Sequence, residues 1–399
     1  MANYPFERSV VSEILAGLGR EKKLLHIMIG PRQVGKTTAA LQIAQKWEGP
    51  VVHASADQAL PPGPEWIEAH WDQALRQAQQ SKQEALLVLD EVQKVRGWSE
   101  VVKWLWDKEG REQKGVQVII LGSSSLLIQQ GLTESLTGRF FLYHCTHWGY
   151  PEMSKAFGWN LDRWIFYGGY PGAAPMIDQP SVWRKYITDA LIETVLAKDV
   201  LQLQTVAKPA LLRNLFLLAA VHPAQILSYN KMLGQLQDAG NTTTLAHYLR
   251  LLETAFLISG LEAFKSGKQM KRGSSPKLVI WNSALINAIV GHDFKKARED
   301  FSWWGRLVEN AVGAHLVSQL NRFSHALFYW RNRGAEVDFV VKTPQHVWGI
   351  EVKSGKGQNV QGMSAFRAEY PKMKSLMIGP GHIEFEEFFT RNPAEFLSV

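Results

Sequence analysis

Cysteine is almost absent: Cys145 stands alone in 399 residues. One thiol excludes an intramolecular disulfide and any zinc site built from several thiolates, and it fits a reducing compartment. Long apolar runs are also lacking. The most apolar stretch, residues 211–221, is short and broken by Arg213 and Asn214, and residues 1–11 carry no apolar core of signal-peptide length. Neither export nor a membrane span is expected, and the expected compartment is the cytoplasm. No internal repeat and no low-complexity segment is found. The twelve histidines show no ligand spacing on one helix face, and no catalytic triad can be assembled.

Aromatic and apolar residues are plentiful. Hydrophobic residues make up 46% against 20% charged, with 15 Trp and 18 Phe, so the chain can bury large cores and is unlike a disordered one. Its length exceeds one ordinary core, and three domains are expected. Net charge is +7, and residues 261–399, with 19 Lys and Arg against 13 Asp and Glu, carry six of those seven charges. Such a field favours a polyanion, DNA above all, although proteins that bind nothing anionic also carry it.

Residues 1–23 read as a lead helix. Over 24–155, short apolar strands at 25–29, 51–54, 85–89 and 118–121 alternate with amphipathic stretches, the pattern of a parallel α/β sheet. A helical connector spans 156–225 and contains Gly168-Gly169-Tyr170-Pro171-Gly172, a joint between domains. Over 226–290 the order helix (229–236), tight turn (238–241), helix (242–252), strand (256–261) has the rhythm of a winged helix-turn-helix, with the basic segment 267–276 as wing or linker. An α/β domain is expected over 300–399: a long helix at about 302–320, a two-strand region (328–341, then 347–352), another helix and a strand at 375–378.

Gly30-Pro31-Arg32-Gln33-Val34-Gly35-Lys36-Thr37 satisfies G-x-x-x-x-G-K-S/T, follows an apolar strand and opens a helix that begins at Thr38. This is a phosphate-binding loop. The glycines let successive backbone N–H groups face the phosphates, Lys36 is expected to reach the β and γ oxygens of ATP, and the Thr37 hydroxyl to reach Mg2+. Leu86-Leu87-Val88-Leu89-Asp90-Glu91 is an apolar strand ending in two acids, with Asp90 suited to the Mg2+ shell and Glu91 to polarising the attacking water. The strand at 118–121 ends in Gly122-Ser123-Ser124-Ser125, so Ser123 and Ser124 are candidate polar sensors, or a helix cap. Arg139 is a candidate arginine finger acting across a homo-oligomer, or a plain surface arginine.

In the helix-turn-helix segment, Leu245, Tyr248, Leu249 and Leu252 form the inward face, leaving His247, Arg250 and the threonines 242–244 outward. That set can touch phosphates but is thin in base-reading residues, and such modules also bind proteins or act as ATPase lids. Further on, Asp338 is read at the end of one strand, and Glu351 and Lys353 two apart on the next share a sheet face. With Glu309 from the preceding helix they make three carboxylates and a cation, the parts for metal-assisted phosphodiester hydrolysis with Mg2+ or Mn2+. The alternative is a charged solvent face on a hairpin.

With those motifs in hand, the chain resembles bacterial and archaeal AAA+ type P-loop ATPases that join an N-terminal ATPase domain to a C-terminal domain of unknown function with a restriction-endonuclease-like core. The resemblance rests on the phosphate loop, Leu89-Asp90-Glu91-Val92-Gln93, Gly122-Ser123-Ser124-Ser125, Leu136-Thr137-Gly138-Arg139, Gly168-Gly169-Tyr170-Pro171, Tyr329-Trp330-Arg331, Glu336-Val337-Asp338 and Glu351-Val352-Lys353-Ser354-Gly355. It implies ATP and Mg2+ binding, a winged-helix element, and a PD-(D/E)XK-like end. One departure is His147-Trp148-Gly149-Tyr150-Pro151-Glu152, where the usual Pro-Leu-Ser is missing.

Overall fold

A computed structural model describes residues 6–20, 24–112, 115–122, 135–201, 206–236, 241–265, 274–321, 324–355 and 361–398. It divides into two compact units, Met1–Thr146 and His147–Val399.

In the first unit, β1 (Leu25–Ile29), β2 (Val51–Ser55), β3 (Ala85–Asp90), β4 (Val116–Gly122) and β5 (Phe140–His144) form one sheet in the order β2-β3-β4-β1-β5, every pair parallel. The three inner strands are buried at every position, which explains their near-continuous apolar sequences; β2, at the edge, alternates. Strand β5 adds to the four expected strands. It lies half-buried at the other edge, although Phe140 to Tyr143 is itself an apolar and aromatic run that the expected set left out. Helices α1 (Ser9–Leu18), α2 (Lys36–Lys46), α3 (Glu65–Ser81) and α4 (Trp98–Glu112) accompany the sheet. On α3, Ile67, Trp71, Ala74 and Ala78 recur at helical spacing and form the buried stripe that joins Leu87, Leu89 and Val102 in the core.

The second unit begins with α5 (Tyr150–Phe157), α6 (Leu161–Tyr167) and α7 (Pro180–Lys185), followed by two stretches of widened helical turns, Tyr186–Ile192 and Val195–Leu201. Next come α8 (Pro209–Ala220), α9 (Tyr229–Leu236) and α10 (Thr242–Thr254), then the antiparallel pair β6 (Ile258–Leu261) and β7 (Lys277–Ile280). Asn241 caps α10 by accepting from Thr244 N–H at 2.7 Å. His247 and Arg250 are exposed on α10, as its spacing predicts, while residues 237–240 and 266–273, most of the expected turn and most of the expected wing, lie outside the described residues.

Helices α11 (Ser283–Val290), α12 (Phe294–Glu299) and α13 (Phe301–Gln319) lead to a sheet ordered β11-β10-β9-β8. Its strands are β8 (Ala326–Asn332), β9 (Ala335–Lys342) and β10 (Val347–Val352), with β9 antiparallel to both its neighbours, and β11 (Lys374–Ile378) parallel to β10. Between β10 and β11 runs α14 (Gln361–Glu369); α15 (Phe385–Thr390) and α16 (Pro393–Phe396) follow β11.

Two expectations are corrected here. The stretch 328–341 is two strands, because Arg333 and Gly334 at φ 47° and 86° fold it back in a two-residue hairpin of left-handed residues. Asp338 consequently sits inside β9 instead of ending a strand. The connector, helix-turn-helix and C-terminal pieces all lie within the second compact unit. Backbone bonds from Phe264 N–H to Tyr329 O (2.6 Å) and from Tyr329 N–H to Glu262 O (3.1 Å) join the β6 end to β8, and buried Asn287 Nδ2 donates to Phe166 O at 2.7 Å. On α14, Met363 and Phe366 pack with Phe328, Trp330, Val337 and Val340. The helix comes so close to β9 that a Cβ on Gly362 would lie 1.8 Å from Glu336 O.

Candidate functional site

The phosphate loop runs from the end of β1 into α2. Gly35 at φ 89° and Gln33 at φ 60° turn it through left-handed conformations, and Gly35 serves as the α2 N-cap. Gly30 has no room for a side chain, since a Cβ there would meet Cys145 O at 1.9 Å. Between the glycines, Pro31 and Val34 are buried and Arg32 is half-buried. Buried Lys36 donates from Nζ to Gly30 O (2.9 Å) and Pro31 O (2.6 Å), holding its ammonium inside the loop. Thr37 and Thr38 follow Lys36 in the first turn of α2, with their N–H groups at the positive end of the helix.

Arg8, which no sequence signal singled out, braces this loop from the stretch before α1. Its Nη1 donates to Val34 O (3.2 Å), Thr146 O (2.9 Å) and Cys145 Sγ (3.0 Å). The only clue in the sequence is an arginine followed at once by an apolar helix.

Asp90 ends β3, two strands from β1 across β4. The Thr37 hydroxyl donates to Asp90 Oδ2 at 2.7 Å, and Asp90 Oδ1 accepts from Glu91 N–H at 2.8 Å. The two motifs are therefore brought together as their chemistry requires: a hydroxyl and a carboxylate fit for a Mg2+ shell beside a loop fit for phosphates. Glu91 occupies the left-handed region at φ 53°, an unusual conformation for a residue with a side chain, and Gln93 Nε2 donates to Glu91 Oε2 at 2.6 Å. Ser123 and Ser124 lie outside the described residues. Arg139 makes a forked pair with Asp107 of the same chain, Nε to Oδ1 at 2.8 Å and Nη2 to Oδ2 at 3.1 Å. A role across subunits requires that fork to open.

In the second unit the expected carboxylate set is altered. Among the described residues, Glu309 on α13 and Glu336 and Asp338 on β9 offer oxygens within 4.8 Å of one another. Glu351 is not in that group. The β9–β10 pairing ends at Phe339 and Ile350, one residue short of Asp338 and Glu351, and Asp338 Oδ2 instead accepts from Val352 N–H at 2.8 Å. Glu351 turns to Lys353, Nζ to Oε1 at 2.6 Å. Its other oxygen is buried without a hydrogen bond. Burial first, then the charge of Asp338, pushes the Glu351 carboxyl up to about 7 in spite of Lys353.

Glu336 was legible in principle, two residues before Asp338 and hence on the same strand face. Lys277 was not: it opens an apolar strand far away in sequence. Its ammonium has no exposed surface and is flanked by Glu309, Glu336 and Asp338. Burial alone would lower this lysine, but the carboxylates of Glu309, Asp338 and Glu336 together hold it above the ordinary range. The Glu309 carboxyl is pushed up to about 7, by burial against the pull of Lys277.

Residues 22–154 match a family model described as an AAA domain. Residues 158–296 and 304–387 match two domains of unknown function, DUF8612 and DUF4143. The chain is similar to uncharacterized proteins of Mycobacterium tuberculosis (25% identical over 379 residues, 92% of this chain and 80% of the relative), Methanocaldococcus jannaschii (24% over 278 residues, 64% and 58%) and Haemophilus influenzae (23% over 308 residues, 72% and 71%). Among solved structures, the Aeropyrum pernix ORC1 protein in complex with DNA aligns over 72% of this chain and 93% of that one, at 11% identity and a TM-score of 0.29, too slight a likeness to bear on the fold. Among the described residues no helix is long and apolar enough to cross a membrane. The AAA-domain match, the all-parallel sheet and the phosphate loop bonded to an acid-ended strand make the first unit a P-loop ATPase domain of the AAA+ type.

Proposed function

We propose that this chain is an ATP-hydrolysing AAA+ protein that acts on DNA, its C-terminal part being a metal-dependent, restriction-endonuclease-like domain whose DNA handling follows the ATP state. The observation that carries the ATPase half is the 2.7 Å bond from Thr37 to Asp90, which joins the two nucleotide motifs in one place. Bound MgATP supplies the phosphoryl group and the cation that offsets its charge. Around it, Lys36 and the loop N–H groups bind the phosphates, Thr37 and Asp90 hold the cation shell, and Glu91 takes the proton of the attacking water.

The nuclease-like half is supported by the convergence of Glu309, Glu336 and Asp338 from a helix and a strand, with Glu351 and Lys353 at the adjoining strand end. DNA as the partner is supported by the positive charge of residues 261–399 and by His247 and Arg250 exposed on α10. Cleavage of linear, supercoiled and branched DNA, with Mg2+ or Mn2+ and with or without ATP, tests this when wild type is compared with Asp338→Ala. Cleavage by wild type alone is expected. Coupling is refuted if no DNA alters ATP turnover and no ATP analogue alters DNA affinity. In a second reading the domain binds DNA or protein without cutting, and the Lys277 ammonium among the acids favours it.

A further inference from the structure

Lys277 Nζ stands 2.5 Å from Glu309 Oε1, 3.3 Å from Glu336 Oε1 and 3.7 Å from Asp338 Oδ1, with the Phe339 ring centroid 5.0 Å away. One fully buried ammonium thus touches all three carboxylates of the cluster. Those same oxygens, to hold Mg2+ or Mn2+, must close around the ion at about 2.0–2.2 Å, and an ammonium at contact distance from a doubly charged ion in a buried site is strongly repelled. The ammonium and the metal therefore compete for one position. We propose that Lys277 is the resident cation of this cluster and closes it to divalent metal, and that metal enters only when β7 carries the lysine away.

The proposal rests on reading Glu309, Glu336 and Asp338 as metal ligands, and adds what controls access to them. Control lies in the strand as well as the side chain, because β7 is clamped. Ile280 N–H donates to Asn310 Oδ1 and Asn310 Nδ2 donates to Ile280 O, both at 2.8 Å, with Asn310 fully buried. Asn310 follows Glu309 on α13, so the helix that supplies an acid also fixes the strand that supplies the cation. The opposite edge of β7 is paired with β6 along its length. Displacing the β6–β7 pair from α13 is the movement that would withdraw the ammonium.

Binding of Mn2+ to the full chain without nucleotide, followed by the electron paramagnetic resonance of free Mn2+, tests this on wild type, Asp338→Asn, Lys277→Met and Lys277→Met with Asp338→Asn. Lys277→Met is expected to bind one Mn2+ at least about tenfold more tightly than wild type, and the added Asp338→Asn to abolish that gain. Circular dichroism establishes that each variant is folded. Should Lys277→Met not fold, Lys277→Met with Glu336→Gln, which leaves one acid fewer uncompensated, takes its place. Equal, Asp338-dependent binding by wild type and Lys277→Met overturns the closure and leaves the metal site standing. Absence of an Asp338-dependent site in every folded variant overturns the ligand assignment and the closure with it.

Discussion

The hydroxyl of Thr37 and the carboxylate of Asp90, 53 residues apart in the chain, meet at 2.7 Å. The contact exists because β1 and β3 flank β4 in a parallel sheet, so that both strands deliver their C-terminal ends to the same edge. In such sheets ligands are bound beyond the carboxyl ends of the strands, and here the loop after β1 and the acid ending β3 are both there.

Lys36 and Glu91 separate binding from turnover. Lys36→Ala removes a charge that the loop presents to phosphates, and ATP affinity is expected to fall by roughly a hundredfold or more. Glu91→Gln keeps the shape and loses the base, so ATP is retained while turnover drops by about 10²–10⁴-fold. Equilibrium binding of a fluorescent ATP analogue beside phosphate release distinguishes the two, and wild-type rates in both variants refute the site.

Gly30→Ala places a methyl 1.9 Å from Cys145 O, a backbone atom that moves only if the β1–β5 pairing gives way. A loss of about 1–3 kcal/mol in unfolding free energy, with weaker ATP binding, is expected from denaturant titration and nucleotide titration. A variant as stable as wild type would mean that the loop and β5 separate freely.

Asn310→Ala leaves the N–H and the C=O of Ile280 buried without their partner. Two stranded backbone groups cost about 2–4 kcal/mol in all, to be read as a lowered denaturation midpoint of the second unit. Hydrogen exchange at Ile280 should accelerate more than at the middle of β9, because the clamp acts on β7.

His26 gives the first unit a pH dependence. Burial, then the charge of Arg20, lowers its pKa to about 4, and its ring stacks on Tyr143 with Nδ1 3.0 Å from the phenol oxygen. The folded value lies below the unfolded one near 6.5, so between them the unfolded chain binds the extra proton. Stability is fully present above about pH 6.5 and is lost as pH falls toward 4, by about 2–3 kcal/mol in all. Exchange protection of the β1 amides at pH 7.5 and pH 5 measures the loss, and His26→Phe should flatten it; an unchanged slope in that variant refutes the assignment.

The ATPase motifs were legible because they are local. A glycine pattern between strand and helix, or an acid pair ending an apolar strand, announces its chemistry within ten residues of sequence, and the inner strands β1, β3 and β4 are apolar because both their faces are covered. Helix α10 and its outward residues were legible for the same reason, through one periodicity. Edge strand β5 carries an apolar and aromatic run, Phe140 to Tyr143, yet only half-buries it and ends in no motif that announces chemistry.

By itself the sequence determined the phosphate loop, its acid partner strand, the parallel α/β class of the first unit and the acids that are candidates for metal. Only the tertiary structure decided which acids meet. It brought Glu336 within reach of Glu309 and Asp338, put Arg8 behind the phosphate loop, folded Arg139 onto Asp107, and set Lys277 among three carboxylates. Each of those is a contact between segments remote in the chain, chosen by how sheets and helices stack to bury apolar surface, and a one-dimensional pattern holds no record of that choice.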